Sequence, residues 1–105
     1  MAQVRWSLSA GQDLQNIEDF MARDSVWHAI NFVDRVVESA DALLKTPHIG
    51  RMVPEFNRPD LRELIFRGYR IVYLLQEDMV FILRVVHGSR DLLGLVRREP
   101  WDIGS

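Results

Sequence analysis

The sequence predicts an α+β fold in which a helix hairpin packs on a small, mainly antiparallel sheet. Three runs rich in Val, Ile, Phe and Tyr lie at 61–66, 69–75 and 79–86. Connections of two and three residues separate them, as in an antiparallel meander. Two amphipathic segments with a very short break precede these runs, which indicates an antiparallel helix hairpin. Because lone helices and lone β-hairpins are marginal in water, the two layers should stabilise each other.

Length and composition indicate one cytoplasmic domain. The 105 residues, 48% of them apolar and 27% charged, suit a single globular domain over 1–105. No run is long enough to cross a membrane, and the first ten residues lack the apolar core of a signal peptide. The chain has no cysteine, which excludes disulfides and thiolate chemistry. We therefore expect a cytoplasmic protein that does not associate with membranes.

Charge is distributed unevenly along the chain. Residues 1–50 hold four basic and seven acidic side chains, net −3, whereas residues 51–98 hold nine basic and six acidic, net +3. The basic half coincides with the predicted sheet, so the sheet could meet phosphates or an acidic partner. The charge is too small for tight nonspecific nucleic-acid binding, which needs many phosphate contacts.

A strand and a helix are predicted at the start of the chain. Apolar and polar residues alternate over 4–8, which predicts a short strand with one buried face. Ser9, with Gln12 three residues later, forms a capping-box pattern. The first helix should therefore begin at Ser9 and end near Arg23.

A second, longer helix and a loop precede the meander. Ser25 is a good N-cap, and the helix should run from it to about Lys45, because Pro47 cannot donate the next hydrogen bond. Residues 48–60 are predicted to be a loop. The element order is therefore β-α-α-β-β-β.

A short helix is predicted after the meander. Ser89 is its predicted cap, and Arg97 and Arg98 would lie in its last turn, where cations suit the helix dipole. Trp101 and Ile103 follow on a tail that either folds back or contacts a partner.

Arginines are concentrated on the predicted strands. Strand alternation puts Arg70 on the opposite face from Ile71 and Tyr73. It puts Arg84 on one face with Val80, Ile82 and Val86. His87 and Arg90 follow where the last strand ends, and a strand end on a rigid sheet is well placed for binding or chemistry.

Two interpretations of these arginines remain open. In the first, Arg70, His87 and Arg90 form one anion-binding group. In the second, Arg62, Arg70 and Arg84 extend along the sheet surface or pair with nearby acids, namely Glu63, Glu77 and Asp91.

The sequence contains no recognisable cofactor or metal motif. His28, His48 and His87 lie far apart without matching carboxylate clusters. The chain has no phosphate-binding glycine loop and no dinucleotide fingerprint. We therefore expect neither a metal nor a cofactor.

Several short motifs occur together in a characteristic order. The first is Trp6-Ser7, ahead of the first helix, and the loop then holds Pro47, Gly50-Arg51 and Pro54-Glu55. The meander adds Arg-Glu-Leu at 62–64, Tyr-Arg-Ile-Val-Tyr at 69–73 and Val-His-Gly-Ser-Arg-Asp at 86–91. Together they resemble the RelE/ParE superfamily of type II toxin–antitoxin systems, and the resemblance covers nearly the whole chain.

The resemblance implies a small bacterial toxin that a cognate antitoxin, encoded beside it, neutralises. RelE-type members cut messenger RNA in the ribosomal A site, with the RNA 2′-hydroxyl as nucleophile and basic side chains stabilising the transition state. ParE-type members poison DNA gyrase and are not nucleases.

Carried onto this chain, the resemblance favours the ParE-like branch. Arg70 and Arg90 match phosphate-binding arginines of the RelE-type enzymes, and His87 could act as acid or base. The RelE-type general base, a C-terminal Tyr or His, is missing after Arg90, and no lysine follows Lys45. We therefore interpret the chain as a gyrase inhibitor rather than an enzyme. The alternatives are a RelE-type nuclease and a nontoxic relative that only binds the antitoxin.

The resemblance also implies the surfaces that would contact partners. The target or its phosphates would meet Arg62, Arg70, Arg84 and Arg90. A disordered antitoxin tail would fold on the toxin and lay an apolar helix on the helix hairpin. Its expected anchors are Met21, Trp27, Leu92 and Trp101. For Trp27 an exposed position and packing onto the loop are both open.

Overall fold

The computed structural model describes residues 3–101 and confirms the α+β class. Ile103 lies outside the described residues. The strands are β1 (Gln3–Trp6), β2 (Arg51–Met52), β3 (Leu61–Phe66), β4 (Tyr69–Gln76) and β5 (Met79–His87). The helices are α1 (Leu8–Ala22), α2 (Val26–Asp41) and α3 (Leu92–Arg98), and a 3₁₀ turn at Ala42–Leu44 follows α2.

The five strands form one mainly antiparallel sheet in the order β1-β5-β4-β3-β2. The meander β3-β4-β5 is antiparallel, and β2 adds to β3 in the same sense. β1 alone runs parallel to its neighbour β5, which places the start of α1 beside the end of β5. None of the helices within residues 3–101 is long and apolar enough to cross a membrane.

The sheet has apolar side chains on both faces, as the alternation of β4 predicts. Ile71 and Tyr73 face the helix hairpin, where Phe32 and Val36 of α2 complete a buried cluster. On the other face, residues of β3, β4 and β5 pack with residues of the 53–56 segment, α3 and Trp101. The helix hairpin thus covers one face, and the segments around α3 cover part of the other.

A β-bulge reverses the alternation in β5. Val72 lies opposite Arg84 but Tyr73 lies opposite Ile82, so Leu83 is an extra residue in the ladder. As a result Ile82 belongs to the cluster under the helices, whereas Val86 belongs to the cluster on the other face. The predicted common face for Arg84, Val80, Ile82 and Val86 is therefore wrong.

Two of the three predicted helix caps are wrong. The cap of α1 is Ser7, whose hydroxyl accepts a hydrogen bond from the Ala10 amide, and not Ser9. Leu8 belongs to the first helical turn, with 95% of its surface exposed, rather than to a strand with a buried face. Asp91 caps α3 in place of Ser89.

The remaining cap and the helix ends follow the prediction closely. The Ser25 hydroxyl accepts from the His28 amide at 3.2 Å, which confirms it as the cap of α2. Arg97 and Arg98 lie in the last turn of α3, as expected.

The segment 48–60 is more ordered than the predicted loop. The segment contains β2, whose two residues pair with β3. Arg51 lies opposite Glu63, and Met52 lies opposite Arg62. The buried Tyr73 hydroxyl accepts from the Gly50 amide and donates to the Pro47 carbonyl, both at 2.9 Å. These bonds fix the segment against the sheet.

Candidate functional site

Arg70 lies inside the protein, with 6% of its surface exposed. Its Nε donates to Glu63 Oε1 at 2.6 Å, and its two terminal nitrogens donate to both oxygens of Glu55 at 2.7 Å. Glu63, which is 1% exposed, also accepts from Arg51 at 2.6 Å. Each of the three nitrogens of the Arg70 guanidinium thus donates to a carboxylate of the protein itself.

The ionisation of Arg70 and Glu55 reflects this pairing. The hydrogen bonds that Arg70 donates to Glu55 raise the pKa of Arg70 far above its ordinary value, against the opposing effect of burial. The hydrogen bonds from Arg70 likewise hold the pKa of the Glu55 carboxyl below its usual range. Both groups are therefore charged at neutral pH, and the pair is satisfied without any external anion.

Arg84 is paired in a similar way at the end of the sheet. It donates to both oxygens of Asp13 on α1, at 2.7 and 2.8 Å, and to Glu99 at 3.3 Å. The hydrogen bonds that Arg84 donates to Asp13 raise the pKa of Arg84. Asp13 also accepts the Val85 amide at 2.9 Å. Arg84 therefore joins α1, β5 and the residue after α3, and its partners are not the predicted Glu77 or Asp91.

Arg62 is half-buried and bonds to backbone carbonyls. It donates to Pro59 at 2.9 Å, to Gly50 at 3.1 Å and to His48 at 3.5 Å. All three carbonyl groups belong to the segment that precedes β3. Arg62 therefore shapes that segment, and its role in binding a target stays a prediction.

His87 and Arg90 lie exposed at the end of β5, beside a cleft that α1 borders. His87 Nδ1 is 2.7 Å from Ser89 Oγ and accepts the Ser89 amide at 3.2 Å. The Tyr69 ring meets the imidazole edge-on at 5.3 Å. Within residues 3–101, Arg90 has no carboxylate partner, so its guanidinium is available to a ligand.

The predicted anion-binding group is not assembled at one open site. Arg70 lies opposite Val86, next to His87 in the ladder, but its guanidinium turns to Glu55 and Glu63. His87 and Arg90 share the exposed end of the sheet. The geometry of Arg70 and Arg84 thus matches the alternative in which sheet arginines pair with acids, and it disfavours their expected binding role.

One residue of this end was not singled out from the sequence. Arg67 lies at the tip of the β3–β4 turn, is exposed, and has a positive φ of 48°. In the sequence, Arg67-Gly68 is the two-residue connection between the first two runs of the meander. A signal was present, because an Arg-Gly pair between two strands forces the arginine into an uncommon backbone region.

The four expected antitoxin anchors differ in exposure. Trp27 is 69% exposed, which decides between the two positions left open for it. Met21 is partly buried against the core under the helices, Leu92 is 1% exposed, and Trp101 stacks on Phe56 at 5.8 Å. Only Trp27 of the four is largely open to a partner.

Further exposed apolar residues lie on α2, the helix that carries Trp27. Val26, Ile30 and Val37 follow a helical spacing of four and seven residues, so they lie on one flank of the helix. We call these three residues the α2 stripe. Because they are exposed, the stripe is available to an apolar partner.

Comparison with known proteins agrees with this architecture. The profile of a family described as "ParE toxin of type II toxin-antitoxin system, parDE" matches residues 4–92. The chain is 34% identical over 91 residues to a Caulobacter vibrioides protein named Toxin RelE2, an alignment that covers 86% of this chain and 99% of that protein.

A solved structure shows the same fold. It is described as "Chromosomal ParDE TA system from P. aeruginosa", with a TM-score of 0.69 and 22% sequence identity. The match covers 83% of this chain and 96% of that one. The family profile and the Caulobacter relative together show that this chain belongs to the ParE toxin family, within the RelE/ParE superfamily of type II toxin–antitoxin toxins.

Proposed function

We propose that this protein is a ParE-like toxin that inhibits DNA gyrase by binding to it, without chemistry of its own. The observation that carries the proposal is that the Arg70 guanidinium is already paired with carboxylates of the protein. A ribonuclease of this kind needs several basic groups around one phosphate, and here both carboxylates of Glu55 and Glu63 occupy the arginine best placed beside His87.

The sequence after the last strand supports the same conclusion. RNA cleavage needs a positioned acid and base. His87 is the last His or Tyr of the sequence, because residues 91–105 contain neither. An exposed end with His87 and Arg90 suits recognition of a partner surface better than a two-group proton transfer.

Purified protein titrated into a gyrase supercoiling reaction tests the proposal. We expect supercoiling to fall and gyrase–DNA cleavage complexes to accumulate, while relaxation by a type I topoisomerase in the same buffer stays unchanged. If saturating protein leaves both gyrase readouts at their starting levels, the proposed target is wrong.

A ribosome-dependent ribonuclease is the second candidate. The relative named Toxin RelE2 and the exposed imidazole of His87 favour it. Toeprinting of translating ribosomes should then show new A-site cuts that His87→Ala abolishes. An unchanged toeprint pattern would end this candidate and leave the gyrase proposal standing.

We further propose that a cognate antitoxin covers the α2 stripe and Trp27. These side chains give a helical partner apolar contacts along one flank of α2. Asp34 and Asp41 lie beside the stripe on the helix surface, so the partner helix should carry basic residues along that edge.

Co-expression with the product of the adjacent reading frame tests this docking surface. The complex should survive gel filtration, and Ile30→Glu should disrupt it. Ile65→Glu is the matched control, because Ile65 is also exposed but lies on β3. Equal loss of complex with both variants, or with neither, would contradict the assignment to α2.

A further inference from the structure

The β3–β4 turn holds an arginine in an unfavourable conformation. Arg67 and Gly68 have φ values of 48° and 84°, which makes this a two-residue hairpin turn with both central residues in the left-handed region. Asn, Asp and Gly suit the first position, whereas a long side chain there is strained. The other non-glycine residue with positive φ in residues 3–101 is Asn57, a type that tolerates it. The turn would fold better without Arg67.

Arg67 also differs from most arginines of the sheet in having no acid partner in the part of the chain that the structure describes. Its guanidinium lies over the Phe66 ring, 5.2 Å from the centroid, and it is exposed. Among the arginines of 51–90, the structure shows five bonded to carboxylates or backbone carbonyls: Arg51, Arg58, Arg62, Arg70 and Arg84. Within this range, Arg67 and Arg90 are the two arginines whose guanidinium groups bond to no carboxylate or backbone carbonyl of the described residues.

The fold brings these two arginines to the same end of the sheet. The Gly88 amide donates to the Gly68 carbonyl at 2.7 Å, which ties the β3–β4 turn to the residues after β5. A Cβ at Gly88 would lie 3.0 Å from that carbonyl oxygen, so a side chain here would crowd the β3–β4 turn and glycine is favoured. Arg67 therefore stands next to the stretch that carries His87 and Arg90.

We propose that Arg67 is a specificity-determining contact residue which, together with Arg90, binds carboxylates on the protein surface of gyrase. This inference rests on the proposed function. A strained residue whose guanidinium pairs with no acid among residues 3–101 is best explained by a role in binding. Guanidinium groups pair well with carboxylates. Two open arginines in a chain of net charge −2 fit a small acidic protein patch and not a nucleic acid, which needs many phosphate contacts.

The substitution Arg67→Asn separates binding from folding. Because Asn-Gly suits this turn, the melting temperature should rise by roughly 2–5 °C. The concentration for half-inhibition of supercoiling should nevertheless rise about ten-fold. Opposite effects on stability and potency cannot come from unfolding. Arg35→Gln on α2 removes the same charge from another exposed arginine and should change neither value.

The possible results distinguish this inference from the proposed function. If the unmodified protein inhibits gyrase and Arg67→Asn is equally potent, the inference is wrong and the proposed function stands. If the unmodified protein does not inhibit gyrase, the proposed function falls. Direct binding to gyrase without DNA should weaken as much as binding to the gyrase–DNA complex. A loss seen only with DNA present would overturn the assignment to protein carboxylates.

Discussion

Arg70 and Arg90 carry the same charge, but their surroundings give them different roles. Arg70 is 6% exposed and bonds to two carboxylates, whereas Arg90 is exposed at the end of the sheet. A buried guanidinium with matched acids adds specificity to the fold, and removing one partner leaves a costly uncompensated charge. Arg70 was expected to bind phosphate from the resemblance alone, and in the structure its guanidinium is paired with Glu55 and Glu63.

Removing the Arg70 guanidinium should destabilise the protein strongly. Arg70→Ala leaves the buried Glu63 with Arg51 as its remaining partner. We expect the free energy of unfolding in urea to fall by roughly 3–5 kcal/mol. Arg90→Ala is the matched control and should change it by less than about 0.5 kcal/mol. Similar values for the two variants would show that the buried pairing does not stabilise the fold.

The Arg70–Glu55 pair also predicts a dependence of stability on pH. The pKa of Glu55 is lowered from 4.5 in the folded protein, so its pairing contributes stability above pH 4.5. That contribution is lost as the pH falls through the lowered pKa. Glu55→Gln should therefore reduce the loss of stability between pH 6 and pH 3, measured by chemical denaturation. Glu38→Gln, at a carboxylate 3.7 Å from Arg35, should not reduce it.

At the scale of elements, the sequence pattern was sufficient for the meander and the helix hairpin. Long apolar runs define β3, β4 and β5 to within a residue. Helix starts were harder, because several serines compete as caps. Ser7 and Ser9 both precede helical residues, and Ser7 also donates to the Leu83 carbonyl at 2.7 Å. That bond joins residues 76 positions apart, so no local pattern distinguishes the two serines.

Ser7 should therefore contribute more to stability than Ser9. Ser7→Ala removes the cap on the Ala10 amide and the bond to β5. We expect a loss of about 1–2 kcal/mol in the free energy of unfolding. Ser9→Ala, at an exposed position inside the first turn, should stay within about 0.5 kcal/mol. Calorimetry of both variants measures the difference, and a larger loss at Ser9 would contradict the observed cap.

Very short or irregular elements could not be predicted from the sequence pattern. β2 has two residues, which is too short to show a period. The bulge at Leu83 reversed the face of Val86, because alternation predicts faces only in a regular ladder. Both features depend on pairing with a neighbouring strand.

At the scale of the whole molecule, the fold was more predictable than the site. Fold class follows from periodicity within segments, whereas ion pairs join residues that are distant in sequence. Arg70 and Glu63 are 7 residues apart, and Arg84 and Asp13 are 71 apart. No local spacing identifies such partners, so the alternatives for the sheet arginines could be separated only by the structure.

The basic residues of the sheet and its end fall into two groups, one buried and one exposed. Helices α1 and α2 cover one face of the sheet, and α3 with Trp101 covers part of the other. Arg70 and Arg84 are buried and paired with carboxylates of the protein, Arg70 with Glu55 and Glu63, and Arg84 with Asp13. The end of the sheet with Arg67, His87 and Arg90 remains open, so we assign target binding to that end.

The potency of Arg90→Ala against gyrase supercoiling tests this assignment most directly. We predict a concentration for half-inhibition about ten-fold above that of the unmodified protein, with an unchanged melting temperature. A variant that stays folded and inhibits gyrase as well as the unmodified protein would contradict the assignment.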